Sequence, residues 1–357
     1  MEARGKGSGR GFRWAVVGMA LAIGLWLAWA APGSGQGMPT LDVVIGNNFG
    51  HLPMFVGVDK GLFRKHGLDV RLKVVSTGTE MVAAMQKREV QIGDMSVTTF
   101  LKARHRGDPL TAIALIMNDA TTAHADDPLA IVARKESGIR PGFLEDLRGK
   151  RIGLAKEQTS DEYFKMVLNR RGMRYEDVNI ENIMSPPALA PALGQGKVDA
   201  VVSWEPFNTV VLERVPESYV VLRGGGHLSY IMLASVHEPL LRQSPQVVQN
   251  FVVGLAAASQ STRQRRDEAV EIFSKWVPNV DLAVAKKAIQ HIRFDPRISK
   301  ESLRAFEAAQ DEILRLTLKD APRRLTITEV VLTSFVEAAQ RSHPEYFSDL
   351  PPLPAAR

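Results

Sequence analysis

Two stretches of the chain, QKREVQIGDMSV at residues 86–97 and GQGKVDAVVSWEP at residues 194–206, have the same form. Each runs from the end of a predicted helix through a polar turn into a short apolar segment, and then into polar residues. A short apolar run bounded by turn residues is typical of a buried strand. The two stretches begin 108 residues apart, and we therefore predict two similar lobes.

Around both stretches, apolar segments alternate with helical ones. In the first half, strands are predicted at 41–45, 68–75, 90–93, 110–117 and 129–134, with helices at 53–60, 80–87 and 98–106. The pattern starts again with strands at 150–154, 178–182 and 200–203 and helices at 161–171 and 188–193. After a strand at 230–235 the chain is helical, at 245–264, 267–276, 282–291, 300–316 and 328–341. This alternation indicates βαβ units, so the predicted class is α/β, with a mainly parallel sheet flanked by helices in each lobe.

Composition limits the possible functions. The chain has 357 residues, 45% hydrophobic and 24% charged, which is ordinary for globular proteins, and its length favours two domains or two lobes. The net charge of +6 falls to +3 without the first thirty residues, too little to indicate a nucleic-acid partner. The chain contains no cysteine, which excludes disulfides, thiolate metal sites and a thiol nucleophile.

The N-terminus has the pattern of an export signal. A basic stretch ending at Arg13 precedes an apolar run over 14–31, and Ala28-Trp29-Ala30 fits the small-x-small cleavage rule. We therefore predict a signal peptide over 1–30, cleaved after Ala30, and a periplasmic protein. An uncleaved membrane anchor is the alternative, because the run approaches the roughly 20 residues that span a bilayer.

Polar residues follow the predicted strands of the first lobe. Asn47, Asn48 and His51 come after the first strand, and Asp94 and Ser96 end the strand of the first quoted stretch. Ligands bind at the carboxyl ends of strands in open α/β sheets. Turn formation and helix capping would also account for these residue types.

Two predicted helices begin with matching polar loops. Thr77 and Glu80 have the spacing of a capping box, and Thr159 and Glu162 have it too. The amides at a helix N-terminus carry partial positive charge, which suits a carboxylate, sulfonate or phosphate. Each cap alone is explained by stability, whereas two of them on facing lobes favour a site, with Thr79 and Ser160 as the other members of the two loops.

Three further candidate site residues lie in the second lobe and in the segment that returns to the first lobe. Glu205, next to a tryptophan, would either receive a ligand hydroxyl or amine or pair with a neighbouring arginine. The segment GGGHLSY at 224–230 has the glycines of a hinge, although a flexible loop is equally consistent with them. His227 and Tyr230 in this segment are candidates to face a cleft.

Sequence signatures of enzymes are missing. The chain has no Gly-x-Ser-x-Gly elbow, P-loop, His-Glu-x-x-His motif or dinucleotide fingerprint, and its eight histidines show no metal-ligand spacing. We therefore predict no catalytic residue, no metal and no cofactor.

These residues together resemble a known family. The stretches GHLPMFVGVDKGLFRKHGLDVRL, STGTEMVAAMQKREVQIGDMSV, LEDLRGKRIGLAKEQTSDEYFKMVLNRRG and ALGQGKVDAVVSWEPF are similar to the periplasmic substrate-binding proteins of ABC importers for nitrate, sulfonates and taurine, a group that includes thiamine-precursor binders. The resemblance implies a two-lobed, hinged periplasmic-binding-protein fold. Lobe 1 would comprise 41–133 plus 227–345, lobe 2 would comprise 134–226, and 346–357 would form a tail.

The resemblance also implies a site and partners. The ligand-binding residues it places in the cleft are Asn47, Asn48, His51, Thr77, Thr79, Asp94, Ser96, Thr159, Ser160, Glu205, His227 and Tyr230. The protein would act as a monomer, with a small-molecule ligand and an ABC permease in the inner membrane as partners and no nucleic acid.

The chain departs from the family in ways that bear on the ligand. It lacks the cysteine-rich iron-binding stretch of the relatives that make the thiamine pyrimidine, and no lysine or arginine falls at the predicted positions. Acidic Asp94 and Glu205 disfavour a bare anion such as nitrate, and we expect an organic ligand with polar groups, such as an organosulfur acid or a heterocycle. An enzyme on the same lobes, with Asp94 or Glu205 as base, and a ligand sensor for a membrane receptor are the alternative functions.

Overall fold

The computed structural model describes residues 37–278, 280–319 and 323–354. In these ranges the strands are β1 (Thr40–Gly46), β2 (Asp69–Val75), β3 (Ile92–Ser96), β4 (Leu110–Met117), β5 (Leu129–Ala133), β6 (Arg151–Leu154), β7 (Asn179–Asn182), β8 (Ala200–Trp204), β9 (Tyr219–Arg223) and β10 (Met232–His237). The α-helices are α1 (Leu52–Asp59), α2 (Leu62–Lys65), α3 (Gly78–Gln86), α4 (Val97–His105), α5 (Thr159–Arg170), α6 (Leu189–Gly194), α7 (Phe207–Arg214), α8 (Glu238–Gln243), α9 (Pro245–Gln264), α10 (Arg266–Trp276), α11 (Leu282–Ala288), α12 (Lys300–Leu316), α13 (Ile327–Val330) and α14 (Ser334–Ser342). The predicted signal peptide lies outside the described residues, and none of the described helices is both long and apolar enough to cross a bilayer.

The strands form two five-stranded sheets with the same topology. The orders are β2-β1-β3-β10-β4 and β7-β6-β8-β5-β9. In the first sheet β1 is parallel to β2 and β3, and β10 is antiparallel to β3 and β4. In the second, β6 is parallel to β7 and β8, and β5 is antiparallel to β8 and β9. Four strands of each sheet therefore run in one direction, and the predicted α/β class with two similar, mainly parallel sheets is confirmed.

The two stretches that predicted the repeat form the central strands β3 and β8. All five residues of each strand are buried. We call the part built on β1–β4 and β10 lobe 1, and the part built on β5–β9 lobe 2. The chain crosses from lobe 1 to lobe 2 at 118–128 and returns to lobe 1 at 224–231. The two crossings lie side by side, where β4 and β9 end.

The helices after β10 mainly complete lobe 1. Helices α9 and α10 pack on α1, and Phe347 near the C-terminus joins the same hydrophobic core. Asp349 is held by Arg263 of α9, whose Nη2 lies 2.8 Å from Oδ1. Residues 347–349 are thereby packed on lobe 1.

One predicted helix is wrong in its extent. The segment predicted as a single helix over 328–341 forms α13 and α14 instead. Between them Val331 leaves the helix to bridge Ala112 of β4 in parallel, and the backbone N–H of Leu332 donates to the carbonyl of Ala112 at 2.9 Å. Pairing with the sheet edge therefore outweighs the helical periodicity at this point.

Gly57 in α1 is expected to tolerate no side chain. A Cβ at Gly57 would stand 2.4 Å from Cε2 of Phe63 and 3.1 Å from Cβ of Ala258. Phe63 cannot move aside, because it is buried and stacked on Phe251 with ring centroids 5.4 Å apart. We expect Gly57→Ala to lower the free energy of unfolding by about 1–3 kcal/mol, measured by urea denaturation.

Gly194→Ala provides the matched control for Gly57→Ala. Gly194 also lies in a helix, α6, but a Cβ there would meet its nearest neighbour only at 3.7 Å. Alanine favours helix over glycine by about 1 kcal/mol, so we expect this variant to unfold at the same urea concentration or a higher one. Equal losses in the two variants would contradict the close packing around Phe63.

Candidate functional site

A small cavity lies between the two lobes, next to the ends of β3 and β8. Its volume is about 30 Å³, enough for one or two water molecules. Side chains and backbone of both lobes line it: Asn48, His51, Ser76, Gly78, Met81, Ser96, Thr99, Tyr230 and Met232 from lobe 1 and its return crossing, and Gln158, Thr159 and Trp204 from lobe 2. Five residues that the sequence singled out for the cleft, Asn48, His51, Ser96, Thr159 and Tyr230, are therefore brought together.

His51 and Asp94 form a buried pair at one wall of the cavity. Nδ1 of His51 lies 2.8 Å from Oδ2 of Asp94, and both side chains are fully buried. The distance is that of an ion pair, although the angle is not that of a hydrogen bond. Burial raises the pKa of Asp94, and the nearby His51 opposes this increase. Asp94 is not among the residues that line the cavity and contacts His51 from behind.

The other ring nitrogen of His51, Nε2, lies next to the end of β1. Nε2 is buried and has no hydrogen-bond partner among the described residues. It lies against Gly46 at the end of β1, where a Cβ would stand only 2.5 Å from it. Because Gly46 has no side chain, the Nε2 side of the His51 imidazole can occupy this space.

The second lobe contributes Trp204 rather than Glu205. Nε1 of Trp204 is a buried donor with no acceptor in the described part of the chain. Glu205 is instead bound within lobe 2, since Oε2 accepts from the backbone N–H and the hydroxyl of Thr209 at 3.1 and 2.8 Å, and Arg223 lies 2.7 Å from Oε1. Of the two roles that the sequence allowed for Glu205, the structure has the pairing with an arginine.

The two helix starts differ. Thr77 and Glu80 form the predicted capping box at α3, in which Thr77 Oγ1 accepts from the backbone N–H of Glu80 at 3.3 Å. The predicted box of Thr159 and Glu162 is wrong, because Gln158 is the N-cap of α5 and Thr159 is already helical. The side chain of Glu162 instead pairs with Lys102 of lobe 1.

Direct hydrogen bonds join the lobes around the cavity. Oε1 of Gln158 accepts from the backbone N–H of Gly78 at 2.9 Å, and its Nε2 donates to Oγ1 of Thr79 at 3.1 Å. The hydroxyl of Thr159 donates to that of Ser96 at 2.9 Å. The predicted residues Thr79, Ser96 and Thr159 therefore bind the opposite lobe.

The remaining predicted residues have separate environments. Oδ1 of Asn48 accepts from the backbone N–H of Gly50 at 2.9 Å and so caps the turn that carries His51. Oδ1 of Asn47 and the hydroxyl of Ser160 are buried without a partner among the described residues. The sequence placed them in the cleft, but neither is among the residues that line the cavity.

His227 and Tyr230 differ although they are three residues apart. His227 lines a different cavity, of about 220 Å³, together with Met166 and Arg170, so the structure does not bring it to the central one. Tyr230 is buried at the central cavity, and burial, followed by the negative charge of Asp94, raises the pKa of its phenol.

Sequence reasoning did not select Met81, Met232, Gln158, Thr99 or Trp204 as site residues. The methionines occupy apolar positions of a helix and a strand, which periodicity assigns to the core. Trp204 and Gln158 lie in segments that the sequence had marked, so their positions at a strand end and at a helix start were the available signal. Among the described residues, no group of three or more metal-ligating side chains comes together.

A family model and two known proteins match this chain. A family model described as NMT1/THI5 like matches residues 48–269. A protein of Brucella abortus strain 2308, named provisionally as a binding protein, is 21% identical over 225 residues, which cover 62% of this chain and 66% of that protein. The 4-amino-5-hydroxymethyl-2-methylpyrimidine phosphate synthase of Schizosaccharomyces pombe is 26% identical over 244 residues, 64% of this chain and 65% of the enzyme. The chain thus spans slightly less than two thirds of the length of these relatives.

A solved structure shares the fold. The periplasmic aliphatic sulphonate binding protein of Escherichia coli superposes with a TM-score of 0.69 at 16% sequence identity, over 82% of this chain and 92% of that protein. At this identity the likeness concerns the fold, and it confirms the two-lobed periplasmic-binding-protein architecture.

Proposed function

Because the chain belongs to the NMT1/THI5-like family, we propose that it is an extracytoplasmic solute-binding protein that captures a small organic solute between its lobes and delivers it to an ABC importer. It would act in the periplasm as a monomer, after cleavage behind Ala30, with a permease of the inner membrane as its partner. The observation that carries the proposal is the interlobe cavity, in which buried nitrogens of His51 and Trp204 have no partner among the described residues. Leaving a buried polar group unpaired is costly, and a bound solute would supply the partner that these two nitrogens lack.

Capture requires the lobes to separate. The cavity of about 30 Å³ is far smaller than the roughly 300–1,000 Å³ of common ligand sites. The two crossings are suited to hinge motion, since Gly224, Gly225 and Gly226 have φ angles of 55°, 99° and 67°. Asp126 of the first crossing ties them together by accepting from the backbone N–H of His227 at 2.7 Å. A solute that contacts both lobes would favour closure by those added contacts.

The lining indicates the chemistry of the solute. Met81, Met232, Trp204 and Tyr230 offer apolar and aromatic surface, while Trp204 also offers an N–H donor. None of the described residues that line the cavity is a lysine or arginine, so an anionic group would rely on hydrogen-bond donors, which disfavours a bare inorganic anion because it has no apolar part to bury. We propose a small heterocycle or an organosulfur acid whose acceptor atom meets Nε1 of Trp204.

The test of the proposal is native mass spectrometry of the exported protein, before and after unfolding and refolding. A small extra mass that is lost on unfolding would identify the solute and support capture. For protein purified without a solute, a thermal-shift screen of sulfonates, carboxylates and heterocycles follows. If no compound raised the melting temperature, the capture function would be rejected.

Catalysis on the same lobes is the second candidate, favoured by the S. pombe relative that is named a synthase. Asp94 and Glu205 are poorly placed as bases, because each is buried against a basic partner. Among the described residues that line the cavity, His51 is the side chain suited to act as a base, and its Nε2 has no hydrogen-bond partner. Incubation of a bound compound with the protein, followed by its mass spectrum, separates the two functions, since capture returns the compound unchanged.

Trp204→Phe is expected to separate binding from stability. The variant keeps an aromatic ring but removes a buried donor that has no partner in the described protein. Relief of that donor should offset most of the packing lost with the smaller ring, so we expect the stability of the solute-free protein to change by less than about 1 kcal/mol. Loss of one hydrogen bond should weaken solute affinity by about fivefold to tenfold. Thermal denaturation and titration calorimetry measure the two effects, with Trp276→Phe on the half-exposed surface of α10 as control. A variant that loses stability and keeps its affinity would contradict a role of Nε1 in binding.

A further inference from the structure

A buried ion pair joins the lobes outside the cavity. Nζ of Lys102 in α4 lies 2.7 Å from Oε1 of Glu162 in α5, and the exposed fractions of the two side chains are 9% and 0%. Nζ also donates to the backbone carbonyl of Glu157 at 3.0 Å. The other carboxylate oxygen of Glu162 accepts from the hydroxyl of Thr317, next to the end of α12, at 2.6 Å. One carboxylate of lobe 2 is thus bound by two groups of lobe 1.

Lobe 2 cannot replace the contribution of Lys102 with its own nearest cation. Lys165, one turn along α5, stands 3.8 Å from Oε1 of Glu162, and it is already 2.9 Å from Oδ2 of Asp161. A carboxylate can be buried at a modest cost only when a cation and hydrogen-bond donors meet it. When the lobes separate, Glu162 and Lys102 both regain water.

We propose that Lys102, Glu162 and Thr317 form a latch that selects the register in which the lobes close without a solute. The ion pair itself contributes little net attraction, because closure removes both charges from water. Its effect is conditional: closure in any other register would bury the carboxylate of Glu162 with only Lys165, which is 3.8 Å away and is shared with Asp161, as its cation. The latch therefore specifies which closed arrangement the solute encounters. The inference rests on the proposed function only in assuming that the lobes open.

The test measures the lobe separation in solute-free, refolded protein. The chain has no cysteine, so Lys87→Cys in lobe 1 and Lys156→Cys in lobe 2, both exposed, accept spin labels at unique positions on the two sides of the cleft. Pulsed dipolar spectroscopy should give one short distance for this labelled parent. Lys102→Met should add a longer distance and reduce the closed fraction relative to the open one by about tenfold or more.

Two further variants keep the test specific. Arg297→Met breaks a pair of the same 2.7 Å length and similar burial, with Asp295, that lies within lobe 1. It should lower the melting temperature without changing the label distance. Lys102→Met combined with Glu162→Leu removes the unpaired carboxylate and should restore the short distance.

Two results would overturn the latch. One is a labelled parent that is open without solute, and the other is a Lys102→Met protein with the distance distribution of the parent. Because no solute enters these measurements, failure of the latch and failure of solute capture are independent results. A protein that opens on Lys102→Met but responds to no compound in the screen would keep the latch and lose the capture function.

Discussion

Replacing His51 with alanine is expected to lower the free energy of unfolding of lobe 1 by about 3–5 kcal/mol at neutral pH. The change leaves the carboxylate of Asp94 fully buried without its basic neighbour, which lies 2.8 Å away in the parent. A buried charge without a partner has lost its hydration and gained no compensating attraction. The loss should therefore exceed that of deleting an imidazole from an apolar core.

The same substitution should make stability strongly dependent on pH. Burial already raises the pKa of Asp94 in the folded protein, and His51 acts in the opposite direction. Without His51 the folded-state pKa rises further above the unfolded value of about 3.9. A folded state that binds the proton more readily than the unfolded chain loses stability as pH rises between the two pKa values. The destabilisation by His51→Ala should thus be largest at neutral pH and shrink towards pH 4.

Urea denaturation from pH 4 to 8 measures this dependence. The control is His51→Ala combined with Asp94→Asn, because the amide does not titrate and the double variant should lose the same stability at each pH. We expect the single variant to approach the double variant at low pH and to fall below it at neutral pH. Parallel curves for the two variants would show that Asp94 is not the titrating group. Its carboxyl group would then not be buried in the charged form at neutral pH.

Much of the fold could be predicted from the sequence because its signals are local. The apolar run of β4 and the long helices α9 and α12 have the predicted bounds, since each is bounded by clear turn or capping residues. Strand β9 was missed although turn residues bound it, with Pro216 before it and Gly224 after it. Its apolar run is only four residues long, and periodicity alone does not show which secondary structure so short a run adopts. Tyr219–Arg223 form an edge strand that pairs with β5.

The position of the candidate site could be predicted from the sequence, but only some of the residues that line it could. Polar groups at strand ends predicted that His51 and Ser96 would lie close together, and both line the cavity between the lobes. Sequence alone could not choose between Trp204 and its neighbour Glu205, because alternation gives them opposite directions without saying which one is inward. The choice is made by Arg223 at the end of β9, the second strand along the sheet from β8, which pairs with the carboxylate of Glu205.

Phe273→Ala is expected to have an equally large effect through packing. Phe273 of α10 is fully buried, with its ring centroid 4.5 Å from that of Phe49 and 5.7 Å from that of Phe55. Truncation of a buried phenylalanine costs about 3–5 kcal/mol, because the contacts are lost and a cavity remains. Phe49 begins the turn Phe49–His51, so the cavity would open directly behind the residue that carries the imidazole.

Trp276→Ala in the same helix separates this support from a general loss of packing. Trp276 also contacts Phe55, with ring centroids 5.6 Å apart, but it is 37% exposed, and we expect it to cost about 1 kcal/mol. Urea denaturation should rank the two variants in this order, and only Phe273→Ala should increase hydrogen exchange at the amides of the Phe49–His51 turn. If that turn stayed as protected as in the parent, its position would be set by β1 and the cap of Asn48 alone. The C-terminal helices would then stabilise lobe 1 without positioning the site.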